Sequence, residues 1–81
     1  MDPIQDRIQQ FLAAHPYTIY FSDELMDNLQ LPFSVLEKNL LQMAENNIVD
    51  YKDASTDNTK DFMVKIILPA LLLLSSYIIN K

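Results

Sequence analysis

The chain has no cysteine and no glycine. Without cysteine there is no disulfide, no thiolate nucleophile and no thiolate metal site. The commonest staples of a small domain are excluded, and a reducing, cytoplasmic setting fits. Without glycine there is no glycine-rich phosphate loop and no dinucleotide fingerprint. Every turn must be made by Asn, Asp, Ser or Pro. Positive charge is also scarce, with 6 basic side chains against 11 acidic ones and a net charge of -5. Arg7, Lys38, Lys52, Lys60, Lys65 and Lys81 are scattered along the chain. Nucleic-acid binders use Lys and Arg to neutralise phosphates and release counterions. An acidic balance works against nonspecific binding to nucleic acid or anionic lipid. No N-terminal signal peptide is expected, because Gln, Asp and Arg interrupt the first apolar stretch.

What is present is a chain of 81 residues, 49% of them hydrophobic. That composition supports one globular domain and argues against disorder. A core of this size is only marginally stabilising, so oligomerisation is the expected supplement.

"DPIQ" opens a helix. Asp2 can cap it, Pro3 suits the first helical position, and Gln5 falls where a capping box wants Glu or Gln. Ile4, Ile8, Phe11 and Leu12 then recur on one face. The helix should stop near Ala14 or His15, because the residue before Pro16 disfavours helical backbone. "YTIYF", residues 17–21, reads as a short strand. Ser22 reads as the cap of a second helix, with Asp23 and Glu24 suiting its dipole and Leu25, Met26 and Leu29 on its apolar side.

A third helix is predicted from Phe33 to Asn46, with Leu36, Leu40 and Met43 as its buried stripe. Asn47 sits where a left-handed residue closes a helix. "IVDYK" then starts a strand, "DASTDNT" turns, and "DFMVKIIL" returns with Phe62, Val64, Ile66 and Leu68 on one face. From Pro69 onward the sequence reads as a helix that is apolar nearly all round. Residues 66–79 are 14 in number and uncharged, whereas a membrane span needs about 20 apolar residues. Extending the stretch to Phe62 includes Lys65, at a cost of roughly 2.5–3.5 kcal/mol at the bilayer centre. A membrane helix over residues 62–79 is therefore the lesser reading. In the favoured one, Leu71, Leu74, Tyr77 and Ile78 cover a face of the domain. Leu72, Leu73, Ser76 and Ile79 are left for a second subunit in a twofold dimer.

The order helix, strand, helix, turn, helix, hairpin resembles the winged-helix variant of the helix-turn-helix. "LQLP" resembles the turn of that family, Leu36, Leu40 and Met43 match inward positions, and Asn47 stands where members usually have Gly. The resemblance covers residues 1–68 and implies a mainly α fold with a small β-hairpin wing. Residues 69–81 are read as a dimerisation helix of the same unit. The departure is in the outward positions of the third helix, where family DNA readers present polar and basic side chains to the major groove. The corresponding residues are Phe33, Ser34, Val35, Glu37, Lys38, Leu41 and Gln42. Only Lys38 can neutralise a phosphate, while Ser34 and Gln42 can hydrogen-bond to base edges. The wing would add Lys52 and Lys60.

Other chemistry finds little support. His15 in "AHP" suits a helix C-terminus better than a pH-sensitive site. Asp53, Asp57, Asn58 and Asp61 lack the offsets, glycine and terminal glutamate of a calcium loop. No serine has a base and an orienting group in view, and Asp23 and Glu24 point in different directions. No enzyme, cofactor or metal is expected. The favoured reading is a homodimeric protein-interaction module or adaptor that docks its partner on Phe33, Val35 and Leu41, which are apolar where a DNA reader would place cations. The alternative is a DNA-binding transcriptional regulator, and the third is a membrane-tethered small protein.

Overall fold

Asp2 opens the first helix by accepting a hydrogen bond from the Ile4 amide at 2.9 Å. Helix α1 is Pro3–Ala14, with His15 at its C-cap. The computed structural model describes residues 2–67. The expected stripe is in place: Ile8 and Leu12 are buried, and Ile4 and Phe11 pack half-buried beside them. Gln5 does not close a capping box. Its amide reaches across to α3 instead, donating to Gln42 Oε1 at 2.7 Å and Asn39 Oδ1 at 3.2 Å.

The strand expected over residues 17–21 shortens to β1, Tyr20–Phe21. The cause is local. The Thr18 amide is spent on His15 O at 3.1 Å, in a turn built around Pro16. Helix α2, Ser22–Leu29, follows directly. Ser22 is not its cap. Phe21 holds the cap position, and its amide donates to the Glu24 carboxylate at 3.0 Å. Ser22 is the first helical residue, buried, with both its amide and its hydroxyl donating to Asp61. Leu25 and Leu29 are buried as expected, while Met26 lies at the surface.

Gln30 closes α2 with a left-handed backbone, φ 55°. Helix α3 is Phe33–Glu45, ending just short of the expected Asn46. Leu36, Leu40 and Met43 are fully buried. Asn47 takes the expected left-handed conformation, φ 60°, and the Ile48 amide closes the helix on Met43 O at 2.9 Å. Strands β2, Val49–Asp53, and β3, Phe62–Ile66, form the hairpin, with β2 one residue later than the sequence suggests.

The described residues form a mixed α/β domain, with three helices and one antiparallel sheet in the order β1-β3-β2 among them. Tyr20 and Tyr51 both pair with Val64, and Asp50 pairs with Lys65. One sheet face, carrying Tyr20, Val49, Phe62, Val64 and Ile66, is buried with the apolar sides of the helices. The other carries Phe21, Asp50, Lys52, Met63 and Lys65, exposed or half-buried. Leu68, the helix predicted from Pro69, and its interface residues Leu72, Leu73, Ser76 and Ile79 lie outside the described residues. Among the described residues no helix is long and apolar enough to cross a membrane.

Candidate functional site

The outward surface of α3 is where a recognition helix would act. Phe33 does not project freely. Its ring lies 5.4 Å from that of Phe62, which lies 5.2 Å from Tyr51, so three aromatics lock the start of α3 to the loop end of the hairpin. Such tilted pairs add about 0.5–1.5 kcal/mol each beyond area burial. Val35 is half-buried, and its carbonyl accepts from Asn39 Nδ2 at 2.8 Å. Leu41 is the one expected apolar residue that stands clear, 46% exposed. Of the apolar patch expected from Phe33, Val35 and Leu41, two members are half-buried and only the leucine is exposed.

The polar members are divided. Ser34 and Lys38 are exposed. Gln42 is exposed too, but its carbonyl oxygen is engaged by Gln5 of α1. The negative charge of Glu37 helps raise the Tyr51 pKa. Burial of the phenol is the larger cause, and Asp53 adds to it. Asn39, which sequence reasoning passed over, is buried and completes the α1–α3 link. A lone polar residue in the i+3 gap between Leu36 and the next turn was the available signal.

The expected cations do not converge. Lys52 lies on the outer sheet face beside Asp50, Lys65 and Ile19. Lys60 lies at the other side of the hairpin, beside Asp23, Asp61 and Phe33. Lys38 stands alone on α3. Arg7 is used internally, donating to Leu29 O at 2.7 Å and tying α1 to the end of α2. All 11 acidic side chains of the protein fall within residues 2–67. Asp23, Glu24 and Asp27 form an exposed acidic edge on α2, with Met26 among them.

Asp53 and Asp61 have structural roles at the hairpin. The carboxylate of Asp53 accepts from the Ser55 amide at 2.9 Å. Hydrogen bonds from Ser55 hold its pKa below the ordinary value. Asp61 Oδ1 accepts from the Ser22 amide and hydroxyl and from the Phe62 amide. The Ser22 hydroxyl is the main cause of its lowered pKa. Among the described residues no group of three His, Cys, Asp or Glu side chains is placed to hold a metal ion.

A surface that sequence reasoning did not single out lies beside β1. Tyr17 is 84% and Ile19 52% exposed, and Phe21 continues the same parity. Tyr20, of opposite parity, is buried. The signal was in "YTIYF": both parities of the alternation are apolar, so one of them must face outward. No protein family, curated protein or solved structure matches the chain.

Proposed function

We propose that the protein is a non-catalytic interaction module of winged-helix type that binds another protein rather than DNA. The element order, the left-handed Asn47 between α3 and β2, and the buried Leu36, Leu40 and Met43 support that type. The observation that carries the choice of partner is electrostatic. Lys38 is the only cation on α3, Lys52 and Lys60 face different directions, and α2 presents Asp23, Glu24 and Asp27. A duplex brought to this surface meets net repulsion. A basic protein surface with an apolar anchor suits it better, with Leu41 or Met26 as the apolar contact.

The alternative is a DNA-binding regulator that reads through Ser34 and Lys38, both exposed on the N-terminal half of α3. Gel shift on a mixed duplex pool at low salt separates the two. The interaction module gives no shift at micromolar protein. A shift that weakens with salt and is abolished by Lys38→Glu would establish the DNA reading instead. Homodimerisation through residues 69–81 belongs to the same proposal. Leu72→Glu with Ile79→Glu is expected to give monomer or insoluble protein, and a monomeric wild type by light scattering refutes the dimer.

A further inference from the structure

The outer sheet face has apolar side chains and no helix packed on it among the described residues. Ile19 and Phe21 come from the β1 side, and Met63 lies next to them on β3. Before Tyr20 the chain does not pair with β3, which leaves a groove lined by Pro16, Tyr17, Ile19, Ile66 and Ile67 together with the charged pair Asp50 and Lys65. Exposed apolar area of this kind marks a surface that something covers.

We infer that this face is the docking site for the protein's own C-terminal segment, residues 68–81, packed within the same chain. Three observations carry this. The segment begins where the groove ends, since Ile67 is a lining residue. Its chemistry matches, because residues 68–80 are uncharged and rich in Leu and Ile. Its length matches too. Read as a helix, residues 70–80 span about 16 Å, and a five-residue strand such as β3 spans about 17 Å. Sheet layers pack about 10 Å apart, and the three steps from Ile67 to Ala70 reach about 10 Å when extended. So short a tether gives a high effective concentration, which favours the segment of the same chain over that of a second copy. Asp50 and Lys65, cross-strand partners, line the groove as well, with Lys52 beside them, and the Lys65 stem can lie along an apolar helix while its ammonium stays in water.

This docking does not depend on the proposed function. It uses Leu71, Leu74, Tyr77 and Ile78, and leaves Leu72, Leu73, Ser76 and Ile79 for a second subunit. The cysteine-free chain makes the test clean. Ile19→Cys is combined in turn with Leu74→Cys, Tyr77→Cys and Ile78→Cys in the full chain, oxidised and run without reductant. At least one pair is expected to close a disulfide within one chain, to an extent that dilution does not change. Disulfides found only between chains assign the face to a second copy and overturn the inference, as does the absence of any disulfide. Light scattering on the same samples reports the dimer separately, so the two proposals can fail independently. In a second measurement, Ile19→Asp should speed chymotryptic cleavage within residues 68–81 by about tenfold or more, the worth of one buried Ile. Ile19→Ser gives the same readout should circular dichroism show the Asp variant unfolded. Cleavage at the wild-type rate in a folded variant also overturns the docking.

Discussion

At Asp61 one carboxylate oxygen serves three donors from two elements: the Ser22 amide and hydroxyl of α2 and the Phe62 amide of β3. It supplies from a distant position the acceptor for the Ser22 amide and hydroxyl, since Ser22 itself is inside the helix, and adds to the negative charge of Asp23 and Glu24 at that helix start. Asp61→Ala strands those donors and should destabilise the fold by about 1–3 kcal/mol in a urea titration. Asp61→Asn keeps an acceptor and should cost less. The pH dependence follows in sign. The folded pKa lies below the unfolded value of 3.8, so the stabilisation is fully present above pH 4 and is lost as pH falls through the folded pKa. Wild type should therefore lose more stability than Asp61→Asn on acidification below pH 4. Equal losses would show that the carboxylate does not act this way. Gln30 is the second informative residue. Left-handed backbone costs a non-glycine residue about 1–2 kcal/mol, and glycine returns part of that gain through its unfolded-state freedom. Gln30→Gly should raise stability by about 0.5 kcal/mol, even after losing the Gln30 side-chain bond to Asp27 O. The same change at Asn47 should do less, because Asn tolerates this conformation.

The elements meet at Phe62, which is fully buried and in contact with the rings of Phe33 and Tyr51. It joins the start of α3 to both strands of the hairpin. Phe62→Ala should cost about 3–5 kcal/mol by loss of transfer energy and by cavity formation. A domain of this size has little more than that in reserve, so the variant should be largely unfolded by circular dichroism. Much of this packing was legible in the pattern. The period-3.6 stripes of α1 and α3 and the period-2 run Phe62, Val64, Ile66 each point to the core because burial repeats with the element's own geometry. What was not legible was set by partners far along the chain. Ser22 looks like a cap until Asp61 is folded against it. Gln5 looks like half of a capping box until Asn39 and Gln42 stand opposite. Phe33 looks free for a partner until the hairpin brings Phe62 beneath it. Tyr17 and Ile19 were missed for another reason. A strand apolar on both parities does not say which side the core takes.

Across the whole molecule the charges are unevenly placed. Every acidic side chain lies within residues 2–67, and five of the basic ones lie there with them. One of the five, Arg7, serves a backbone carbonyl of α2. The folded domain thus confines mutually repelling carboxylates that the unfolded chain spreads apart, and a net charge far from zero disfavours the compact state. Screening should relieve this. Between 0.01 M and 0.15 M salt the Debye length shrinks from about 30 Å to about 8 Å, less than the width of the domain. Sodium chloride over that range should raise the thermal midpoint, by the equivalent of about 0.5 kcal/mol, the scale of exposed charge interactions. A midpoint that falls with salt would mean that attractive pairs outweigh repulsion on this surface. Such a result would also weaken the case for a basic protein partner, because that case needs an acidic field not already neutralised within the chain. Charge reversal at the acidic edge of α2 gives the local version of the experiment. Asp27→Lys, exposed beside Met26, should flatten the salt response while leaving the core, and hence the urea m-value, unchanged.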